Sequence, residues 1–266
     1  MKFLIKKEWE GFLKKLSFNN NSLKETQIEK LFFEISQIIK ELIAKKNPKG
    51  DFITYGIAMT FFHYYICFNE IRTIDRIEIS FACFYLSLKT QFYFIPLKEI
   101  INDYNKYIKD KLGKEKNQNP DFIKYEIQLY SQLGYDLDIE TPFQFFFTEF
   151  YFNSHINDKE KLKKIKNFCF NLIYDTYTRP LSIYFHPKII YLSCLIFTLK
   201  FLEYNEIDIK KLIKDENLDL IGECMERIYQ IYYRFIQDNS NKDNNSINNN
   251  LNNNLNNNIN NNNNDK

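Results

Sequence analysis

Histidine, cysteine and carboxylate side chains hold metals, attack carbonyls and move protons. This sequence spaces them too widely for any of those tasks. His63, His155 and His186 fall in different predicted elements. Cys67, Cys83, Cys169, Cys194 and Cys224 are dispersed, no two form CxxC, and none stands at ligand spacing to a histidine. They read as reduced thiols packed like small hydrophobes. GxGxxG, P-loop, HExxH and GxSxG patterns are missing, and the carboxylates are scattered over polar faces. No catalytic residue, no metal site and no cofactor is expected. Two charges remain conspicuous. Lys89 ends the apolar run FACFYLSLK (81–89), and Glu126 stands at the front of the aromatic segment YEIQLYSQLGYDLDIETPFQF (125–145). Taken alone, each is a solvated surface charge, or together a salt bridge contributing about 0–1 kcal/mol.

Composition narrows the classes further. The formal net charge is +2, so nothing demands a polyanionic partner, and the basic stripe of a nucleic-acid binder is missing. With 26 Phe and 19 Tyr against 6 Gly, aromatics occupy sites that other proteins fill with Ala or Leu. Aromatic residues are therefore weak evidence of a binding site here. The opening MKFLIKKEWEGFLKK is interrupted by charges, unlike a secretory signal. The best apolar run, Ile189 to Leu199, lies between Lys188 and Lys200 and is short of the ~20 residues a bilayer needs. A soluble, intracellular protein is expected.

Almost every segment that could carry these residues has helical periodicity. A short amphipathic stretch spans 6–16. Ser22 with Glu25 forms a capping box for a helix running to about Lys46. Asp51 begins a helix to about Cys67, Asp75 caps 76–89, Pro96 opens the next, and Pro120 begins one that stops at Gly134. Gly134 has the residue type for the left-handed turn that closes a helix, and Tyr135 to Ile139 reads as an extended connector. Thr141 is the expected N-cap of the following helix, with Pro142 at its first position. From Asn239 the chain is almost all Asn and cannot bury enough apolar area to order itself.

The sequence also repeats. RIEISFACFYLSLK (76–89) aligns without a gap to PKIIYLSCLIFTLK (187–200), at an offset of 111 residues. Ile79, Cys83, Leu88 and Lys89 fall on Ile190, Cys194, Leu199 and Lys200, with Ala82 on Ser193 and Ser87 on Thr198. An internal duplication follows. The second copy comprises helices near 142–153, 159–177, 187–203, 207–214 and 218–237. The expected organisation is an N-terminal helix and linker (1–21), a first unit (22–139), a second (140–238) and a low-complexity tail (239–266).

An all-α chain of two tandem five-helix repeats behind a short N-terminal helix resembles the cyclin fold. FACFYLSLK is similar to the third helix of a cyclin box, and Glu126 to Leu137 to the fifth, with Tyr135-Asp136-Leu137 at its aromatic-Asp-Leu position. ETPFQF resembles the start of the second repeat. LIYDTYTRPLSIYFHPKIIYLSCLIF (172–197) resembles the second-repeat motif of the transcription-type cyclins (C, K, L and T), through Asp175, Thr176, Thr178, Leu181 and Pro187. The likeness covers roughly residues 6–237. The pattern departs in three places. Thr90-Gln91-Phe92 replaces the acidic residues after the lysine, and His63 stands where the family has an arginine. The substrate-docking patch of the cell-cycle cyclins has no match in KLFFEISQIIKEL (30–42).

The resemblance implies a regulatory subunit, without catalytic residues, that binds a cyclin-dependent protein kinase and sets its C-helix for phosphoryl transfer. Carried over residue by residue, Lys89 and Glu126 would bond to the kinase, surrounded by Leu86, Tyr130, Tyr135 and Leu137. A nuclear location is implied, with a cytoplasmic one left open, and neither membrane nor direct nucleic-acid contact is expected. Two alternatives keep the fold. One is a helical scaffold that activates no kinase. The other is a relative of the B-type general transcription factor, although the zinc ribbon and basic surface of that family are missing. His63, as a lone histidine, reads as a hydrogen-bonded structural residue. KEKLKKIK (159–166) reads as the polar face of a helix. The partner kinase, its substrates and the timing of its action are not encoded in any legible way.

Overall fold

In the computed structural model, residues 25–46, 51–69, 74–113, 120–135, 137–148, 158–204 and 217–233 are described, with positions 209 and 213. The expected helix at 6–16, the Ser22 cap, most of the 207–214 helix and the Asn-rich tail lie outside them. All regular structure among the described residues is α-helix. In chain order these are α1 (Glu25–Lys46), α2 (Asp51–Phe68), α3 (Arg76–Thr90), α4 (Leu97–Leu112) and α5 (Phe122–Gln132). Then follow α6 (Pro142–Thr148), α7 (Lys159–Thr176), the single turn α8 (Leu181–Tyr184) and α9 (Pro187–Phe201). Residues 218–224 are helical and close the main compact unit, which ends at Cys224. Residues 225–233, also helical, belong to a separate unit. No helix among the described residues is long and apolar enough to cross a membrane.

Patterning explains the layout. On α1 the buried residues Leu31, Ile35, Ile38, Ile39 and Leu42 recur at helical spacing, so one stripe faces inward. The α2 and α3 helices are apolar nearly all round, and both become central. Packing against α3 come α1, α2, α4 and α5, which makes α3 the axis of the first repeat. In the second repeat α9 plays the same part, flanked by α6, α7 and α8. The link between the repeats is α2, which also packs on α6 and α8. That approach explains Gly56, where a Cβ would sit 2.8 Å from the Tyr177 hydroxyl oxygen and 3.0 Å from Thr141 Cγ2.

The duplication read in the sequence is repeated in the backbone. Ile79, Cys83 and Leu88 are buried, as are Ile190, Cys194 and Leu199. Both helices end in the same left-handed turn, with Phe92 at φ 59° and Glu203 at φ 58°. Tyr93 N donates to Leu88 O at 2.9 Å, and Tyr204 N to Leu199 O at 2.9 Å. These bonds satisfy carbonyls that a helix terminus otherwise leaves open. The caps differ in chemistry. Asp75 accepts from the Ile77 and Glu78 amides, whereas His186 Nδ1 accepts from the Lys188 amide at 3.1 Å.

The joint between the repeats is tighter than the expected extended connector. Gly134 adopts φ 61°, which its type allows without steric cost, but Tyr135 is also left-handed at φ 63°. Its amide reaches back to Tyr130 O at 2.9 Å, so the closing turn of α5 includes Tyr135. The next helix does begin at Pro142. Its cap runs opposite to expectation: the Gln144 side chain accepts from the Thr141 amide at 2.6 Å, while the Thr141 hydroxyl is buried without a hydrogen-bond partner. Gln144 here supplies the reciprocal half of a capping box.

Candidate functional site

Lys89 lies in the last turn of α3 and Glu126 in the second turn of α5. Packing of α5 on α3 brings them together across 37 residues of chain. Lys89 Nζ donates to both carboxylate oxygens of Glu126, at 2.6 and 2.8 Å. The pair is accessible from outside, with side chains 37% and 23% exposed. At that exposure it contributes about 0–1 kcal/mol to the fold. Gln91, two residues after Lys89, is held by bonds to Thr54 Oγ1 at 2.8 Å and Ser87 O at 3.0 Å. Leu129 anchors the other helix and is buried.

Tyr130 lies one turn beyond Glu126 and is half-buried. Burial, the Glu126 charge and a hydrogen bond to that carboxylate raise the pKa of its phenol. Glu126 therefore has two neighbours, an ammonium and a phenol, that fix its position. Tyr135 stands out from the turn after α5, 77% exposed, and Leu137 is half-buried. Leu86 requires a correction: it is 1% exposed and belongs to the core. Because α3 is buried on nearly every side, a leucine one turn before Lys89 faces inward.

Sequence reasoning missed apolar residues that take the place of Leu86. Phe92 and Phe94, in the segment after α3, are 85% and 75% exposed, and Ile123 and Ile127 stand out from α5. Ile123, Ile127 and Tyr130 recur at helical spacing, on the strip that carries Glu126. A hydrogen-bonded charge pair bordered by exposed apolar side chains fits the surface of another protein, with water excluded around a polar anchor. The signal for Ile127 was its place beside Glu126. Phe92 and Phe94 carried none, because phenylalanine is so common in this chain.

The thiols and His63 are enclosed in the core. All five thiols are buried and free. Burial pushes the Cys83, Cys194 and Cys169 thiols upward, away from the thiolate that attacks or binds metal. Among the described residues no cluster of three His, Cys, Asp or Glu could hold a metal ion. His63 is buried in α2, with Nε2 3.1 Å from the Tyr177 carbonyl and Nδ1 2.7 Å from Ser182 Oγ. The carbonyl can only accept, so Nε2 carries the proton and Nδ1 accepts from the serine hydroxyl. Burial pushes the His63 pKa down to about 3, the carbonyl bond opposing it. His155 lies outside the described residues.

No protein-family model matches the chain. Two curated proteins are similar in sequence. Cyclin-K of Danio rerio is 24% identical over 139 residues, 52% of this chain and 32% of that protein. Cyclin-K of Homo sapiens is 20% identical over 191 residues, 67% of this chain and 33% of that protein. The chain thus spans about a third of the length of these relatives. Among solved structures, a chain of the yeast RNA Pol II CTD kinase CTDK-1 complex matches with TM-score 0.67 and 15% identity, over 87% of this chain and 73% of that one. A chain of the yeast TFIIK (Kin28/Ccl1/Tfb3) complex gives 0.58 and 20%, over 86% and 96%. A chain of the Chaetomium thermophilum CAK complex bound to ATP-gamma-S gives 0.59 and 14%, over 85% and 75%. The chain has the cyclin fold, and its sequence is similar to that of cyclin-K.

Proposed function

We propose that this chain is a regulatory subunit that binds a cyclin-dependent protein kinase of the transcription-associated type and raises its activity. The observation that carries the reading is the Lys89–Glu126 pair, bidentate and accessible, at the edge of exposed Phe92, Phe94, Ile127 and Tyr135. Lys89 and Glu126 hold polar groups of the kinase, and the apolar side chains cover its C-helix. Fixing that helix completes the kinase's own Lys–Glu ion pair, which phosphoryl transfer requires. The first repeat supplies this surface, and α6 and α8 of the second pack on its α2. The chain itself has no catalytic part, and it acts in the nucleus with its kinase. The similarity to cyclin-K and the shared fold support this assignment.

A tagged full-length chain, wild type beside Lys89→Glu/Glu126→Lys, tests it by pull-down, mass spectrometry and kinase assay of the bound fraction. The double variant keeps opposite charges face to face, so circular dichroism and thermal melting should match wild type. The expected result is kinase activity recovered with wild type and reduced about tenfold or more by the swap, the loss expected when docked charges are inverted. No kinase recovered with wild type would overturn the function. Equal recovery with both chains would overturn the site.

A further inference from the structure

A cleft of about 600 Å³ opens between α1, α2 and α7, lined by Lys40, Tyr55, Asn171, Tyr174 and Asp175 among others. Lys40 Nζ lies over two rings there, 5.3 Å from the Tyr55 centroid and 5.3 Å from that of Tyr174. Both distances are within the range of a cation–π contact. The Tyr55 ring is fully buried, and its hydroxyl shares a hydrogen bond with Ser36 at 2.9 Å. Because Lys40 belongs to α1 and Tyr174 to α7, the contact ties the first repeat to the second. Among the described residues, Lys40 Nζ has no hydrogen bond and no carboxylate within ion-pair distance. Nearby lysines do: Lys45 and Lys46 bond to Asp103, and Lys111 bonds to Glu41. Burial lowers the Lys40 pKa, and the Asp175 charge opposes that fall without cancelling it.

We propose that Lys40 is a covalent modification site, acylated at Nζ by acyl thioesters. The neutral amine attacks the carbonyl carbon, the carbon–sulfur bond breaks, and the thiolate leaves with the electron pair. The amine proton passes to water, and nothing is oxidised or reduced. Three features select this lysine. A paired lysine that gives up its proton strands a carboxylate, and Lys40 has none to strand. The ring faces attract the ammonium, but they also accept the neutral amine as apolar surface. Burial disfavours the charged head, and the cleft leaves room beside it for the acyl group. The product is a neutral amide, which has lost the attraction of both rings and of Asp175. Acylation therefore loosens the contact between α1 and α7. The site is separate from the Lys89 surface and operates whether or not a kinase binds there.

The test is acetylation of the full-length chain by acetyl-coenzyme A, in buffer and in urea, with occupancy of each lysine read by peptide mass spectrometry. In buffer Lys40 should carry several-fold more acetyl than Lys45, Lys46 or Lys111, although Lys45 and Lys111 are the more exposed. In urea that excess should vanish, because it depends on the cleft. Treated wild type should melt below untreated wild type. Lys40→Arg keeps a cation over the rings and takes no acetyl at that position, so the same treatment should leave its melting unchanged. Four results would overturn the proposal: no excess at Lys40 in buffer, an equal excess in urea, unchanged melting of treated wild type, or an equal fall in the treated arginine variant.

Discussion

His63 should make the stability of this protein fall steeply in mild acid. The imidazole is fully enclosed, stacks near Tyr177 with centroids 6.0 Å apart, and spends both nitrogens on the second repeat. Its folded pKa is pushed down to about 3 from 6.5. The unfolded chain therefore takes up the proton near pH 6.5, while the folded chain refuses it until about pH 3. Between those values the unfolded state holds more protons, so stability rises with pH. The contribution is fully present above about pH 6.5 and is lost as pH falls toward the folded value. At pH 5 the loss is about 1.5 pH units at 1.36 kcal/mol each, or ~2 kcal/mol. This figure depends on the unfolded pKa alone, provided the folded one lies well below 5. Urea unfolding followed by circular dichroism at pH 7.5 and pH 5, on wild type and His63→Gln, measures it. The glutamine variant should be less stable at pH 7.5, by about 1–3 kcal/mol, from imperfect bonds to Ser182 and Tyr177. Its disadvantage should shrink by ~2 kcal/mol at pH 5, because the variant has no buried imidazole to protonate. Other ionisable groups are common to both chains and cancel in the difference. Equal pH dependence of the two chains would refute the reasoning.

Two further expectations concern the frame. Gly56→Ala forces a methyl to within 2.8 Å of the Tyr177 oxygen and 3.0 Å of Thr141 Cγ2. It should destabilise the chain by about 1–3 kcal/mol through overpacking, read as a lower midpoint in urea. Asp75→Ala removes the acceptor for the Ile77 and Glu78 amides at the start of α3. The loss should be about 1 kcal/mol, and thermal melting would reveal it.

Much of the candidate site was legible because it rests on local patterns. Lys89 and Glu126 stand at fixed positions on two helices whose caps and periodicity are plain in the sequence. The duplication was legible because corresponding positions of α3 and α9 meet the same packing demand, so similar residues fill them. Leu86 was misjudged for a related reason. A helix apolar all round gives no phase from which to choose an outward face, and only the packing of α1, α2, α4 and α5 on α3 turns that leucine inward. Phe92 and Phe94 were missed because exposure is a property of what fails to cover a residue, and no local pattern records it.

By itself, the sequence determined most of the described helices, the Asp75 cap and the repeat. These follow from periodicities and short motifs that act within a few turns of chain. Tertiary structure alone decided which charges meet, which rings remain exposed, and how the repeats are joined. His63 and Ser182 lie 119 residues apart and share a bond only because α2 packs on α8. Gly56 looks like an arbitrary break in a helix until Tyr177 and Thr141 close upon it. Side chains distant in sequence are brought together by the burial of whole helix faces, and that burial depends on the entire chain.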